Sequence, residues 1–132
     1  MKLKVINSVR INNFNDNQLL QKITALWEQA SNHLTNLEVI TYGVYHDYES
    51  DYKGDYSLSI AIEDHTAKPI LEISTQSKYE IFKVDTREDQ GVVNTWRKIW
   101  EHEIAGTLAR AYSYDYEKYY PNGEIEIYIA LK

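Results

Sequence analysis

The apolar residues of this chain change their spacing in an order that occurs twice, and this repetition limits the possible folds more than any single motif does. Residues 2–11 alternate as a strand does, with Leu3, Val5, Val9 and Ile11 among polar neighbours. After Asn13, Phe14, Asn15 and Asp16, where Asn and Asp suit a helix cap, Leu19, Leu20, Ile23, Leu26, Trp27 and Ala30 follow steps of three and four. That spacing predicts an amphipathic helix over 16–32. Residues 38–49 and 55–63 are again strand-like, with Tyr56, Leu58, Ile60 and Ile62 alternating, and Lys53-Gly54-Asp55 is the expected turn between them. Around Thr66-Ala67-Lys68-Pro69 the pattern ends and begins again. A strand is expected over 70–85, then a helix carrying Val92, Val93, Trp96, Ile99 and Trp100 on one face. Strands at 111–120 and 124–131 follow, joined at Pro121-Asn122-Gly123, a strong hairpin signal.

Each half therefore reads strand, helix, strand, strand. The fold class expected is α+β: two copies of one supersecondary unit, 1–64 and 69–132, forming an antiparallel sheet with both helices on one face and a central cleft at the seam. The 132 residues suit one domain, 1–132. With 43% hydrophobic and 26% charged residues, the chain should fold on its own.

Eleven of the twelve tyrosines fall in two windows, 42–56 and 112–128, each with several carboxylates. A tyrosine offers an apolar face and a polar tip, so such a cluster suits an aromatic ligand, and added carboxylates favour a cationic one. Tyrosine is also a good strand residue, and half-exposed tyrosines on a sheet are ordinary.

A family resemblance is carried by an ordered set of segments. These are Ile11-Asn12-Asn13, Leu26-Trp27, residues 42–56 (beginning Tyr42-Gly43-Val44-Tyr45-His46-Asp47-Tyr48), Trp96-Arg97-Lys98-Ile99-Trp100, Asp115-Tyr116-Glu117-Lys118-Tyr119 and Glu126-Ile127-Tyr128-Ile129. Together they resemble the GyrI-like effector-binding domains, in particular the stand-alone branch of integron-associated effector-binding proteins, over nearly the whole chain. The resemblance implies a ligand-binding fold of two strand-helix-strand-strand units. It also implies a cleft that in multidrug-sensing relatives takes lipophilic cations among aromatic rings around a buried carboxylate, here similar in position to Glu117.

Alternation sets Glu117 and Tyr119 on the face opposite Tyr114 and Tyr116. Hydrophobicity alone turns that tyrosine pair inward and leaves Glu117 on the surface; the resemblance turns Glu117 inward, with Tyr119 beside it. In the first window, alternation separates Tyr45 from Tyr42 and Tyr48, so they are not expected to share one pocket. Motif position selects Tyr45 and Tyr56. Trp96 and Trp100, four apart on the second helix, and Trp27 on the first are core residues by spacing that can also wall a cleft. The expected ligand-binding set is thus Glu117, Tyr119, Tyr45, Tyr56, Trp96 and Trp100.

Other chemistries find little support. Without cysteine there is no disulfide, thiolate nucleophile or zinc-thiolate site. His33, His46, His65 and His102 are scattered without zinc spacing. Asp47, Glu49, Asp51 and Asp55 lack the order of a calcium loop and read as a solvated acidic turn. No metal and no cofactor are expected. The net charge of −6 argues against direct nucleic acid binding. No apolar stretch reaches membrane-span length, so a soluble cytoplasmic protein without a membrane partner is the default. The function expected is small-molecule effector binding, of a cationic or aromatic compound, tied to transcription regulation or drug sensing through sequestration, a protein partner or a homodimer. Two alternatives remain: a hydrolase of reactive electrophiles with Glu117 as general acid or base, which the resemblance allows, and a gyrase-inhibitor-like interaction protein.

Overall fold

The computed structural model describes residues 1–32, 39–51, 53–64, 70–74 and 76–132. His33, His65, Tyr52 and the boundary at 66–69 lie outside them. The elements run β1 (Lys2–Ile11), α1 (Leu19–Ser31), β2 (Thr41–His46), β3 (Tyr56–Glu63), β4 (Ile70–Glu72), β5 (Tyr79–Lys83), α2 (Gly91–Ile104), β6 (Asp115–Tyr119) and β7 (Ile125–Ala130). The strands form one antiparallel sheet in the order β4-β1-β3-β2-β6-β7-β5. Setting β4 aside, the order reads the same from either end: β1 answers to β5, β3 to β7 and β2 to β6. The two units meet at the β2–β6 pair.

The strand expected over 70–85 is in fact two strands at opposite edges of the sheet. Residues 70–72 pair with β1 and 79–83 with β7. Seven residue steps from Glu72 to Tyr79 reach at most about 25 Å, whereas six strand spacings across a flat sheet come to about 29 Å. A flat sheet would therefore hold its edges too far apart, and the sheet curls into a half-barrel. Residues from both edges meet inside the curl. Leu3, Tyr42, Val44, Ala61, Ile73 and Tyr116 are buried there, with Leu71, Tyr79 and Tyr128 packed against them. The ring of Tyr116 stacks on Tyr128 at 4.7 Å and meets Tyr79 at 5.5 Å.

Both helices cover the other face. Leu26 and Ala30 of α1 pack on Ile11, Tyr56, Leu58 and Ile60, while Trp96 and Ile99 of α2 pack on Val84, Ile127 and Ile129. Helix α1 starts three residues later than the sequence suggests. The Asp16 carboxylate takes the Gln18 amide and the Lys22 ammonium, closing the turn ahead of the helix rather than capping it.

Register places one cross-sheet row on the helix face: Ile60 faces Gly43, Gly43 faces Glu117 and Glu117 faces Ile127. Ile60 belongs to the core under α1 and Ile127 to the core under α2. The glycine and the glutamate between them mark the seam. Truncating Ile127, fully buried, to alanine is expected to cost about 2–5 kcal/mol. Ile81→Ala, at a residue 52% exposed on the edge strand, should shift urea unfolding by less than about 1 kcal/mol. Equal losses would place the core elsewhere.

Candidate functional site

Between the two helix-covered cores the sheet floor is open to a cavity of about 340 Å³, within the size range of small-molecule sites. Its floor is Glu117 and Tyr119 of β6 with Tyr45 of β2 and Tyr56 of β3. Its walls are Trp27 of α1 and Trp96 and Trp100 of α2, and Leu19, Leu20, Ile23, Val92 and Val93 complete the lining from the helices. Leu20 and Val93 are 77% and 43% exposed, which makes the rim aliphatic. The cavity thus brings together all six residues singled out in the sequence.

Glu117 is 4% exposed, yet its carboxylate is surrounded by donors. Oε2 accepts the Tyr45 hydroxyl at 2.8 Å and the Trp96 indole N–H at 2.7 Å. Oε1 accepts the Tyr119 hydroxyl at 2.6 Å. Among the described residues, none of the ion pairs includes Glu117. Burial pushes its carboxyl above the ordinary glutamate value, and the hydrogen bonds from Tyr119, Trp96 and Tyr45 offset only part of that. The tyrosines answer in kind: burial and then the nearby Glu117 charge push Tyr45 and Tyr119 well up, so both remain protonated donors.

Gly43 allows this arrangement. A β-carbon there would stand 3.2 Å from Glu117 Oε1 and 3.3 Å from Trp27 Cζ2, closer than side chains ordinarily pack. The bare position lets the carboxylate lie over β2 and the Trp27 ring close in from α1, edge-on to Tyr119 at 5.0 Å. The Tyr45 ring likewise meets Trp96 at 5.0 Å and Tyr56 at 5.6 Å.

Tyr48 corrects the alternation argument. It lines the same cavity as Tyr45, although residues three apart on a strand face opposite ways. Strand β2 stops at His46, and Asp47 has φ of +51°, a left-handed residue that turns the chain and brings Tyr48 back to the helix side. Tyr42 does face away, into the curl. The Tyr48 hydroxyl is held at 2.5 Å by Asp115 Oδ2, which also takes Arg110 Nη2 at 2.8 Å, while Asp115 Oδ1 takes the Ala130 amide at 2.8 Å. Burial opposes the Arg110 charge, but Asp115 beside it keeps the guanidinium firmly protonated. This buried pair flanks the cavity and was not legible in the sequence. Its one signal is that Asp115 stands two residues from Glu117, on the same face of the same strand.

His46, read in the sequence as isolated, belongs to a hydrogen-bond chain. Its Nε2 meets Ser59 Oγ at 2.7 Å, Ser59 meets Ser8 at 2.7 Å, and Nδ1 lies 3.1 Å from Asp47. Ser59 is 1% exposed and lies outside the cavity lining, so the chain serves to satisfy buried polar groups. His102 is exposed near the end of α2 and meets Thr107.

Three comparisons bear on this geometry. A family model described as integron-associated effector binding protein matches residues 3–131. An integron cassette protein from the mobile metagenome of Vibrio cholerae, solved as a crystal structure, is similar in fold. It is 27% identical, with a TM-score of 0.81 over 100% of this chain and 90% of that one. No curated protein matches.

Two outcomes follow from the geometry of Glu117. Because its folded value lies above the ordinary 4.5, the folded chain holds this proton more tightly than the unfolded one. The stability it contributes is complete below pH 4.5 and is lost as pH rises through the folded value. Glu117→Gln should remove that loss, leaving the empty variant more stable than wild type at neutral pH, with the difference closing toward pH 4.5. Parallel stability curves would contradict it. Gly43→Ala should cost about 1–3 kcal/mol through overpacking and alter tryptophan emission as Trp27 moves; an unchanged spectrum and midpoint would show that the close packing is not needed.

Proposed function

The chain belongs to the integron-associated effector binding protein family, and from that premise we propose that its effector is a lipophilic, cationic aromatic compound held in the cavity over Glu117. The observation that carries the reading is a buried carboxylate with three neutral donors and, among the described residues, no ion-pair partner. Such a group is disfavoured in its charged form until a cation joins it. The aromatic lining adds to that attraction, because ring faces favour positive charge, and the remaining walls are apolar.

An acidic chain of net charge −6 is poorly suited to phosphate contacts. Any part in drug sensing or transcription control therefore runs through sequestration of the compound or through a partner protein. The raised carboxyl of Glu117 also supports a second reading, a hydrolase of reactive electrophiles, since burial that shifts a carboxyl upward is one way enzymes prepare a general acid or base. Turnover of an electrophile that Glu117→Gln abolishes while binding persists would decide for the hydrolase.

Trp27, Trp96 and Trp100 all line the cavity, so intrinsic fluorescence should report occupancy. Titration with lipophilic cations and neutral analogues of the same shape is expected to favour the cations. Glu117→Gln should weaken the cations by about tenfold or more, about 1.4 kcal/mol, and leave the neutral compounds nearly unchanged. For a permanently charged ligand, affinity should rise with pH as Glu117 ionises. Equal affinity of both proteins for every cation would defeat the reading.

A further inference from the structure

On the face of the sheet turned away from the cavity, three neighbouring strands set Ser8, Ser59 and His46 side by side. Ser8 of β1 pairs with Ser59 of β3, and Ser59 with Val44 of β2, which is buried inside the curl. His46 stands two residues beyond Val44 and so shares that side, with its ring stacked 5.9 Å from Tyr114. The direction of the hydrogen bonds follows from the inner end. An ionised carboxylate only accepts, so His46 Nδ1, 3.1 Å from Asp47, carries the imidazole proton. Burial lowers the imidazole below its ordinary value and outweighs the Asp47 carboxylate, with the Arg10 charge adding to the fall. At neutral pH Nε2 therefore keeps a lone pair. Ser59 donates to it at 2.7 Å, which leaves the Ser59 oxygen to accept from Ser8, also at 2.7 Å. Both hydroxyl protons point toward the histidine, and the Ser8 oxygen lies at the outer end.

This is more than burial requires. Ser59 and His46 are buried and need partners, whereas Ser8 is exposed and water would serve it. Asp47 adopts the left-handed region, with φ of +51°, at a cost that glycine would not incur, and its carboxylate is thereby placed beside His46. Arg10 lies two residues along β1 from Ser8, about 7 Å away on the same side. Its Nη1 donates to the Asp47 carbonyl and the Ser57 hydroxyl. A guanidinium has five N–H donors, so Nε and Nη2 remain to meet an oxyanion developing at Ser8.

We propose that Ser8 is a nucleophilic serine, activated by a relay through Ser59 to His46 and Asp47, and that this face of the sheet takes acyl groups from small activated esters. The Ser8 oxygen bonds to the ester carbonyl carbon while its proton passes to Ser59 and the Ser59 proton to His46 Nε2. Asp47 holds the imidazolium, and Arg10 meets the negative carbonyl oxygen. As the adduct collapses, the bond to the leaving alcohol breaks and the relay returns the proton to the departing oxygen. Water then attacks the acyl-serine by the same path, releasing the acid and restoring Ser8. Ser59, His46 and Asp47 act through Ser8 and position or move its proton.

The test uses the full chain, with p-nitrophenyl acetate to follow turnover and a small alkyl fluorophosphonate, located by mass spectrometry, to mark the nucleophile. The adduct is expected on Ser8. Nitrophenol release should fall about tenfold or more in Ser8→Ala and in Ser59→Ala, the second of which keeps the nucleophile and removes only the link. In wild type the rate should rise with pH to a plateau, with a midpoint below 6.5, as His46 loses its proton among Asp47, Arg10 and Tyr114. Asp47→Asn, at a side chain 72% exposed, should move that midpoint lower, because the carboxylate raises it. This shift decides the matter if Ser59→Ala does not fold. Absence of an adduct on Ser8, including modification confined to tyrosine or lysine, would overturn the nucleophile. A rate at Ser8 that neither Ser59→Ala nor Asp47→Asn alters, with no midpoint below 6.5, would overturn the relay.

Discussion

A carboxylate removed from water at the seam between two helices, held by two phenols and an indole and, among the described residues, in no ion pair, is the constraint on which the rest of the site depends. Neutral donors make it tolerable without making it cheap: its carboxyl stays raised despite them. The charged form is therefore held at a cost, in a place where low polarity makes electrostatic interactions stronger than at the surface. The aromatic rings around it serve twice, as hydrogen-bond donors at their tips and as apolar walls on their faces.

The fold supplies the geometry. Two similar units join at β2–β6, and at that junction the cross-sheet row changes from isoleucine to glycine and glutamate. Because Gly43 has no side chain, the carboxylate can lie across the seam, and because each helix sits over its own unit, the seam is left uncovered. The curl of the sheet matters as well. It fills the far face with Tyr42, Tyr116 and Tyr79, which gives β6 a firm backing for the residues it presents to the cavity.

That curl also explains why the sequence was legible in some places and ambiguous in others. The spacing of Leu19 to Ala30 and of Val92 to Trp100 marked both helices, and the hairpin signal at Pro121-Asn122-Gly123 marked the last two strands. Over 111–120, however, alternation offered two faces and hydrophobicity favoured only the tyrosine side, whereas Tyr116 and Glu117 are both buried, one inside the curl and the other on the helix side. Only the family resemblance placed Glu117 inward. Tyr48 was assigned the wrong face because a period-two argument fails where a single left-handed residue, Asp47, ends the strand. The continuous strand expected over 70–85 was a run of suitable residues divided between two sheet edges, a tertiary choice that local pattern does not encode. The Arg110–Asp115 pair, made between a residue outside the named strands and the first residue of β6, left almost no trace in spacing.

The most direct measurement is the titration of the Glu117 side-chain carboxyl by carbon-detected NMR, in the empty protein and with a saturating quaternary cation. The account requires a midpoint above the ordinary value of 4.5 in the empty cavity and a clear fall when the cation is bound, since a positive charge beside a carboxylate favours its ionised form. An ordinary midpoint in the empty protein, or one that the cation leaves unmoved, would mean that Glu117 does not recognise charge.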